Sequence, residues 1–112
     1  MASLHNRISR RELKEKLIQD PTPRTTISFY QYFQIDSPQL FRDQFYQALY
    51  AIGVLGRIYV AREGINAQMS VPEENWEIFK YNLHADPKFS GIPFKIAVED
   101  DGKSFYKLTI KI

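Results

Sequence analysis

Apolar and polar residues alternate strictly from Ile65 to Val71, and this alternation constrains the fold more than any other stretch of the chain. A period of two over seven residues predicts a β-strand with one buried face and one solvated face. Residues 56–61 precede it with a strand-like composition, and Glu63-Gly64 lies between the two runs. Two strands separated by so short a turn predict a β-hairpin.

Three other segments predict helices, because each starts with a capping residue or a proline and stops at a glycine or a proline. They are residues 9–19, which begin with the capping-box spacing of Ser9 and Glu12, residues 38–52, which follow Ser37, and residues 72–85, which begin with Pro72. Three further runs predict strands from their β-branched, aromatic or alternating residues. They are residues 25–33, 94–98 and 106–112.

After residue 24 the predicted order of elements is β-α-β-β-α-β, followed by one more strand. This is the order of the split βαβ, or ferredoxin-like, plan, in which an antiparallel sheet carries two helices on one face. The predicted fold class is therefore α+β, a ferredoxin-like sandwich with an extra N-terminal helix and an extra C-terminal strand.

The chain has 112 residues, which is enough for one domain. Residues 1–24 carry six basic and three acidic side chains, whereas the whole chain has a net charge of only +2. We therefore expect a basic helical segment over residues 1–24 and a ferredoxin-like domain over residues 25–112. The last predicted strand reaches Ile112 without a turn or a polar tail, which indicates a fragment cut between domains.

The composition excludes several kinds of chemistry. There is no cysteine, so disulfides, zinc–thiolate sites and thiol nucleophiles are absent. We find no serine-nucleophile motif, no glycine-rich phosphate loop and no histidine pair at metal-binding spacing, and we predict no catalytic residue, no metal site and no cofactor in this chain. No apolar run is long enough to span a membrane and no secretory signal is visible, so we expect a cytoplasmic protein.

The solvated face of the predicted sheet carries tyrosines and amides. They are Tyr30, Tyr32, Tyr59, Asn66 and Gln68. A tyrosine-bearing polar face could stack RNA bases, as RNA-recognition modules do. It could also meet a second domain or simply face water. The RNA-recognition motif carries aromatic residues on its two central strands, and the amides that stand there on the third strand count against base stacking of that type.

Two predicted turns carry a basic residue each. Arg62 stands in the hairpin turn, and Lys103 follows Asp100-Asp101-Gly102. Either side chain could hold a phosphate, or it could serve the turn through a local ion pair.

Several segments, taken together and in the same order, resemble the amino-terminal domain of the bacterial rhodanese-like tRNA uridine hydroxylases. They are Leu4-His5-Asn6-Arg7-Ile8-Ser9, Pro23-Arg24-Thr25-Thr26-Ile27-Ser28-Phe29-Tyr30, Glu63-Gly64-Ile65-Asn66-Ala67-Gln68 with Ser70-Val71-Pro72, and Asp100-Asp101-Gly102-Lys103-Ser104-Phe105. The resemblance spans nearly the whole chain.

The resemblance implies an acylphosphatase-like domain that is followed by a rhodanese domain of the same polypeptide, absent from this chain. It implies that the full-length protein is an oxidoreductase that acts on tRNA, by oxygen-dependent 5-hydroxylation of the wobble uridine. The family's catalytic cysteine belongs to the rhodanese domain, so this chain is expected to be a non-catalytic module that is inactive alone.

Three roles for the module remain open. It could position tRNA through basic side chains, namely Arg7, Arg10, Arg11, Arg24, Arg62 and Lys103. It could be a purely structural module that packs on the rhodanese domain through the tyrosine-bearing face. By fold analogy alone it could be an acylphosphatase-like hydrolase.

Overall fold

The computed structural model describes residues 9–97 and 105–112, and it contains three α-helices and five strands within them. In chain order these are α1 (Arg10–Gln19), β1 (Arg24–Tyr32), α2 (Pro38–Ala51), β2 (Leu55–Ala61), β3 (Gly64–Pro72), α3 (Trp76–Ala85), β4 (Lys95–Ile96) and β5 (Leu108–Lys111). Short 3₁₀ turns at Glu73–Asn75 and Pro87–Phe89 flank α3.

The five strands form one sheet in the order β4-β1-β3-β2-β5. The first four are antiparallel neighbours, and together with α2 and α3 they make the ferredoxin-like arrangement. The predicted α+β fold class, with its extra helix and extra strand, is confirmed. The expectation of an antiparallel sheet holds for these four strands, whereas the extra strand β5, whose pairing was not predicted, runs parallel to β2. β4 and β5 lie at opposite edges of the sheet.

The first two helices begin where their capping residues predict. The Ser9 hydroxyl accepts a hydrogen bond from the Glu12 backbone N–H at 3.2 Å, and the Ser37 hydroxyl accepts one from Leu40 at 3.4 Å. Each bond satisfies one of the donors that the first turn of a helix leaves open. The predictions of helix starts at these two serines are confirmed.

The third helix begins later than Pro72, where we predicted it. Pro72 is still the last residue of β3, and α3 begins at Trp76 after a 3₁₀ turn. The Glu73 N–H donates to the Pro23 carbonyl at 2.9 Å, which extends the pairing of β3 and β1 by one step before the chain turns. Backbone pairing with a distant segment therefore outweighs the local preference of proline and glutamate for a helix start.

The core lies between the sheet and the two helices α2 and α3. Strand residues of the predicted apolar positions are buried there, among them Ile27, Ile58 and Met69. Phe89, from the turn after α3, is at the centre of an aromatic cluster. Its ring centroid lies 5.3–6.5 Å from those of Phe29, Phe33, Phe41 and Phe45.

The last two strands are shorter than the sequence predicts. β4 comprises two residues, and Val98 and the predicted turn Asp100-Asp101-Gly102 lie outside the described residues. β5 begins at Leu108 rather than Tyr106. Among the helices that the structure describes, none has the length and apolar character needed to cross a membrane.

Candidate functional site

The face of the sheet opposite the helices forms a continuous polar surface, which we call the open face. By strand register it comprises Ser28, Tyr30, Tyr32, Arg57, Tyr59, Asn66, Gln68, Lys95, Thr109 and Lys111. These positions alternate with the core positions, so the period-two pattern that buries one face creates the other. The prediction that the tyrosines and amides share one face agrees with this register.

Two rows of side chains cross the open face from strand to strand. The first is Tyr30, Asn66, Tyr59 and Lys111, and the second is Lys95, Ser28, Gln68, Arg57 and Thr109. Strands lie about 4.8 Å apart, so the backbones of the two tyrosines in the first row are separated by about 10 Å across the Asn66 strand. The rows place aromatic rings, amides and cations side by side.

Three tyrosines of the open face remain accessible. The exposed fractions are 65% for Tyr30, 79% for Tyr32 and 46% for Tyr59. None of the three side chains makes a hydrogen bond or a ring contact with another residue in the described ranges. These rings can therefore receive a planar partner without breaking a contact with any described residue.

The charge of the open face has one sign. The charged side chains at its described strand positions are Arg57, Lys95 and Lys111, and all three are cations. None of them forms an ion pair within residues 9–97 and 105–112, where the ion pairs are Arg11–Glu15 and Arg42–Asp43. A surface of this charge favours an anionic partner.

One end of the second row opens into a hollow of about 370 Å³. Its lining residues include Ser28 from β1, Gln68 from β3, Lys95 from β4, and Phe105. The hollow thus combines a hydroxyl, an amide, an ammonium group and an aromatic ring. Such a mixture can bind a flat polar ring through its edge and one of its faces.

The turn between β2 and β3 holds Arg62 at the end of the sheet where Tyr32 lies. The carbonyls of Arg62 and Glu63 accept hydrogen bonds from the N–H groups of Ile35 and Phe33, at 2.8 and 3.1 Å. The turn is therefore fixed by its backbone, while the exposed Arg62 side chain forms no ion pair with a described residue. The same bonds occupy backbone donors after β1 that a phosphate-binding loop would need.

Arg24 has a structural use. Its Nη1 donates to the carbonyl oxygens of Gly53 at 2.9 Å and Ser70 at 3.2 Å, so it links the start of β1 to two neighbouring segments. Partial burial lowers the pKa of Arg24, and the charge of Asp20 opposes that shift.

The structure does not bring the predicted basic side chains together. Arg24 pairs with Pro72 at one end of β3, whereas Arg62 adjoins Gly64 at the other, about 25 Å away along the strand. Arg10 and Arg11 are exposed on α1, where Arg11 pairs with Glu15 at 3.2 Å. Arg7 and Lys103 lie outside the described residues.

Sequence reasoning did not include the cations Arg57, Lys95 and Lys111 among its site residues. Arg57 and Lys111 follow the alternation of their strands, so that pattern was sufficient to place them on this face. Lys95 lies between Phe94 and Ile96 in the predicted strand 94–98, so alternation also separates it from the apolar residues, but its position beside Ser28 depends on the pairing of the two-residue strand β4. In the described part of the chain no three acidic or imidazole side chains cluster as metal ligands would.

Comparison with known proteins places this geometry in context. The family model described as the UPF0176 acylphosphatase like domain matches residues 24–112. Two relatives are the tRNA uridine(34) hydroxylases of Salmonella arizonae and Salmonella typhimurium, each 54% identical to this chain over 113 aligned positions. The alignments cover 100% of this chain and 32% of each relative, so the chain spans about a third of their length.

A solved structure has a similar fold. The dark-state structure of BlrB, a BLUF protein, aligns with a TM-score of 0.53 at 11% identity, covering 80% of this chain and 74% of that one. At this level of identity the similarity concerns the arrangement of helices and strands alone.

Proposed function

This chain belongs to the UPF0176 acylphosphatase-like domain family, and from that membership we propose that it is the amino-terminal, tRNA-positioning domain of a tRNA uridine hydroxylase. In this proposal the catalytic group lies outside the chain, in the rhodanese domain that the sequence resemblance implies. The domain itself supplies no catalytic residue. It works in the cytoplasm, with tRNA and the rest of its own polypeptide as partners.

The observation that carries the proposal is the single sign of charge on the open face. Phosphate groups are the main source of affinity in protein–nucleic acid complexes, and basic side chains position the nucleic acid through them. Arg57, Lys95 and Lys111 surround exposed aromatic rings, and the accessible Arg62 stands beyond one end of the same surface. The relatives of this chain are named tRNA uridine(34) hydroxylases, and tRNA is a polyanion that suits a cationic surface of this kind.

The test uses a full-length protein that carries this domain. Arg62→Ala and Arg57→Ala should each weaken binding of the substrate tRNA and lower the slope of log affinity against log salt by about 0.7–0.9, the share of one phosphate contact. Lys80→Ala is the matched control, because Lys80 is exposed on α3 in the helical layer. Affinity and salt slope that remain unchanged in both variants would refute tRNA positioning by this domain.

A structural role is the second candidate, and the exposure of Tyr32 favours it. An aromatic ring that is 79% exposed beside Gly64 offers apolar area to a neighbouring domain. In that case Tyr32→Ala should destabilise the full-length protein more than it destabilises this chain alone. Equal losses in the two contexts would contradict the structural role. We do not propose acylphosphatase activity, because backbone donors after β1 are bonded to the hairpin turn.

A further inference from the structure

We propose that the open face binds unpaired bases of an RNA loop, with one base in the hollow beside Gln68 and the next stacked on Tyr30. This inference rests on the proposed function and specifies it further, since it names the part of the RNA that is recognised. It assigns recognition to stacking and to base edges rather than to phosphates alone.

The stacking surface is provided by Tyr30 and Tyr59. Both rings are accessible, and neither has a ring partner in the described part of the chain. Bases of a double helix already stack on one another, and the paired strands hide their faces. Rings of this kind therefore select bases that are splayed out of a loop.

The hollow can read the edge of a base. The Gln68 amide presents a donor and an acceptor, the Ser28 hydroxyl presents both, and neither side chain is engaged by another described residue. Phe105 provides a wall against which a flat ring can lie. The volume of the hollow, about 370 Å³, accommodates one base with water. Lys95 at the rim is placed to contact the adjoining phosphate.

The spacing connects the two features. Ser28 and Tyr30 are two residues apart on one strand and point to the same face, which separates them by about 7 Å. Gln68 and Asn66 repeat that separation on the next strand. A base in the hollow and a base on Tyr30 can thus be neighbours in one RNA strand that runs along β1.

An RNA strand fits this face better than a protein surface does. An apolar interdomain contact would leave Arg57, Lys95 and Lys111 desolvated, and no acid occurs at a described strand position to pair with them. A polyanion supplies the opposite charge along its whole length. Charge complementarity therefore favours RNA over an apolar domain surface as the occupant.

The experiment compares two RNA probes with a full-length protein that carries this domain. One probe is the anticodon stem-loop of the substrate tRNA, and the other is a blunt duplex with the same number of phosphates. Fluorescence anisotropy gives the affinity for each at several salt concentrations. Tyr30→Ala and Tyr59→Ala should each weaken stem-loop binding by about 5- to 100-fold, with no change in duplex affinity or in salt slope.

Three further variants make the readout specific. Tyr81→Ala is the matched control, because Tyr81 is 75% exposed on α3, away from the open face, and it should alter neither affinity. Gln68→Leu should change the preference among loops that differ by one base, because it removes the amide while keeping a side chain of similar size. Tyr30→Phe should retain stem-loop binding, since the ring remains.

The outcomes separate this inference from the proposed function. If Arg57→Ala weakens both probes but Tyr30→Ala and Tyr59→Ala weaken neither, tRNA positioning stands and base stacking is refuted. If the tyrosine variants leave both RNA affinities intact and destabilise the full-length protein, the face is an interdomain surface and the inference fails. If no variant of either class alters RNA affinity, both proposals fall together.

Discussion

Arg24 and Gly53 are joined by a hydrogen bond of 2.9 Å from the guanidinium Nη1 to the glycine carbonyl. The same nitrogen reaches the Ser70 carbonyl, so one side chain connects the start of β1, the loop before β2 and the end of β3. An arginine that is held in this way helps to define the end of the sheet. We therefore expect a substitution of Arg24 to affect the stability of the fold more than its affinity for RNA.

We therefore predict that Arg24→Lys lowers the free energy of unfolding by about 1–3 kcal/mol, because a lysine cannot reproduce charge-assisted bonds to both carbonyls. Urea denaturation of the purified chain measures the change. Arg10→Lys, at an exposed position on α1, should stay within about 0.5 kcal/mol of the unsubstituted protein. Equal stabilities for the two variants would mean that the Arg24 bonds contribute nothing net.

Gly64 is predicted to be intolerant of any side chain. Its φ is +145°, and a Cβ atom there would lie 2.2 Å from the Gln31 carbonyl oxygen, which is backbone and cannot move aside. Gly64→Ala should cost about 2–4 kcal/mol through clash and backbone strain.

The chain offers a matched glycine for that comparison. Gly91 also has a positive φ, +70°, but a Cβ atom there would meet nothing within 4 Å. Gly91→Ala should lower the free energy of unfolding through backbone strain alone, by about 1–2 kcal/mol. Thermal unfolding of the two variants separates steric clash from backbone strain. Equal losses of stability would show that the close approach of β1 to β3 at Gly64 adds no steric cost.

Phe89 is predicted to be the most sensitive position of the aromatic cluster, since its ring meets four others. Phe89→Ala should destabilise the protein by about 3–5 kcal/mol, and Phe89→Leu by less, because the cavity is smaller. Denaturant unfolding provides the measurement, with Tyr81→Ala as a surface control that stays within about 0.5 kcal/mol. A loss at Phe89 no greater than that of the control would contradict the assigned core.

The stability of the protein should depend on pH through Tyr46, a buried residue of α2. Burial raises the pKa of the Tyr46 hydroxyl above its ordinary value of 10.0, and the neighbouring Tyr50 acts in the same direction. The folded state therefore holds the phenolic proton more tightly than the unfolded state does. This contribution is fully present below about pH 10 and is lost as the pH rises through the higher folded pKa.

Tyr46→Phe removes the titrating group from the same position. Above about pH 10 the free energy of unfolding of the unsubstituted protein should fall more steeply than that of Tyr46→Phe, as followed by urea denaturation at each pH. Parallel curves for the two proteins would show that Tyr46 does not titrate differently in the folded state.

Local sequence signals were sufficient to predict the helices and strands but not every residue at which they begin and end. The serine caps at Ser9 and Ser37 act within one helical turn, so the sequence contains all that is needed to predict them. The start of α3 depends on a bond between Glu73 and Pro23, fifty residues apart, and no local pattern contains that information.

The candidate site was predictable in the same uneven way. Alternation placed Tyr30, Tyr59 and Gln68 on one face, because side-chain direction in a strand has a period of two. It could not show that Ser70, at the same parity, is fully buried. Nor could it show that Arg24 serves the backbone, since the carbonyls of Gly53 and Ser70 are brought to it only by the completed sheet.

The parallel pairing of β2 with β5 has a consequence for how the protein is made. Arg57 and Thr109 are partners in that ladder, and the ribosome synthesises them 52 residues apart. Until Thr109 has emerged from the exit tunnel, β2 is an edge strand with unpaired backbone groups, open to pairing with another nascent chain. Pairing with β5 shortens the exposed edge from the seven residues of β2 to the four of β5, which ends at Lys111, and a short, charged edge resists pairing with other chains.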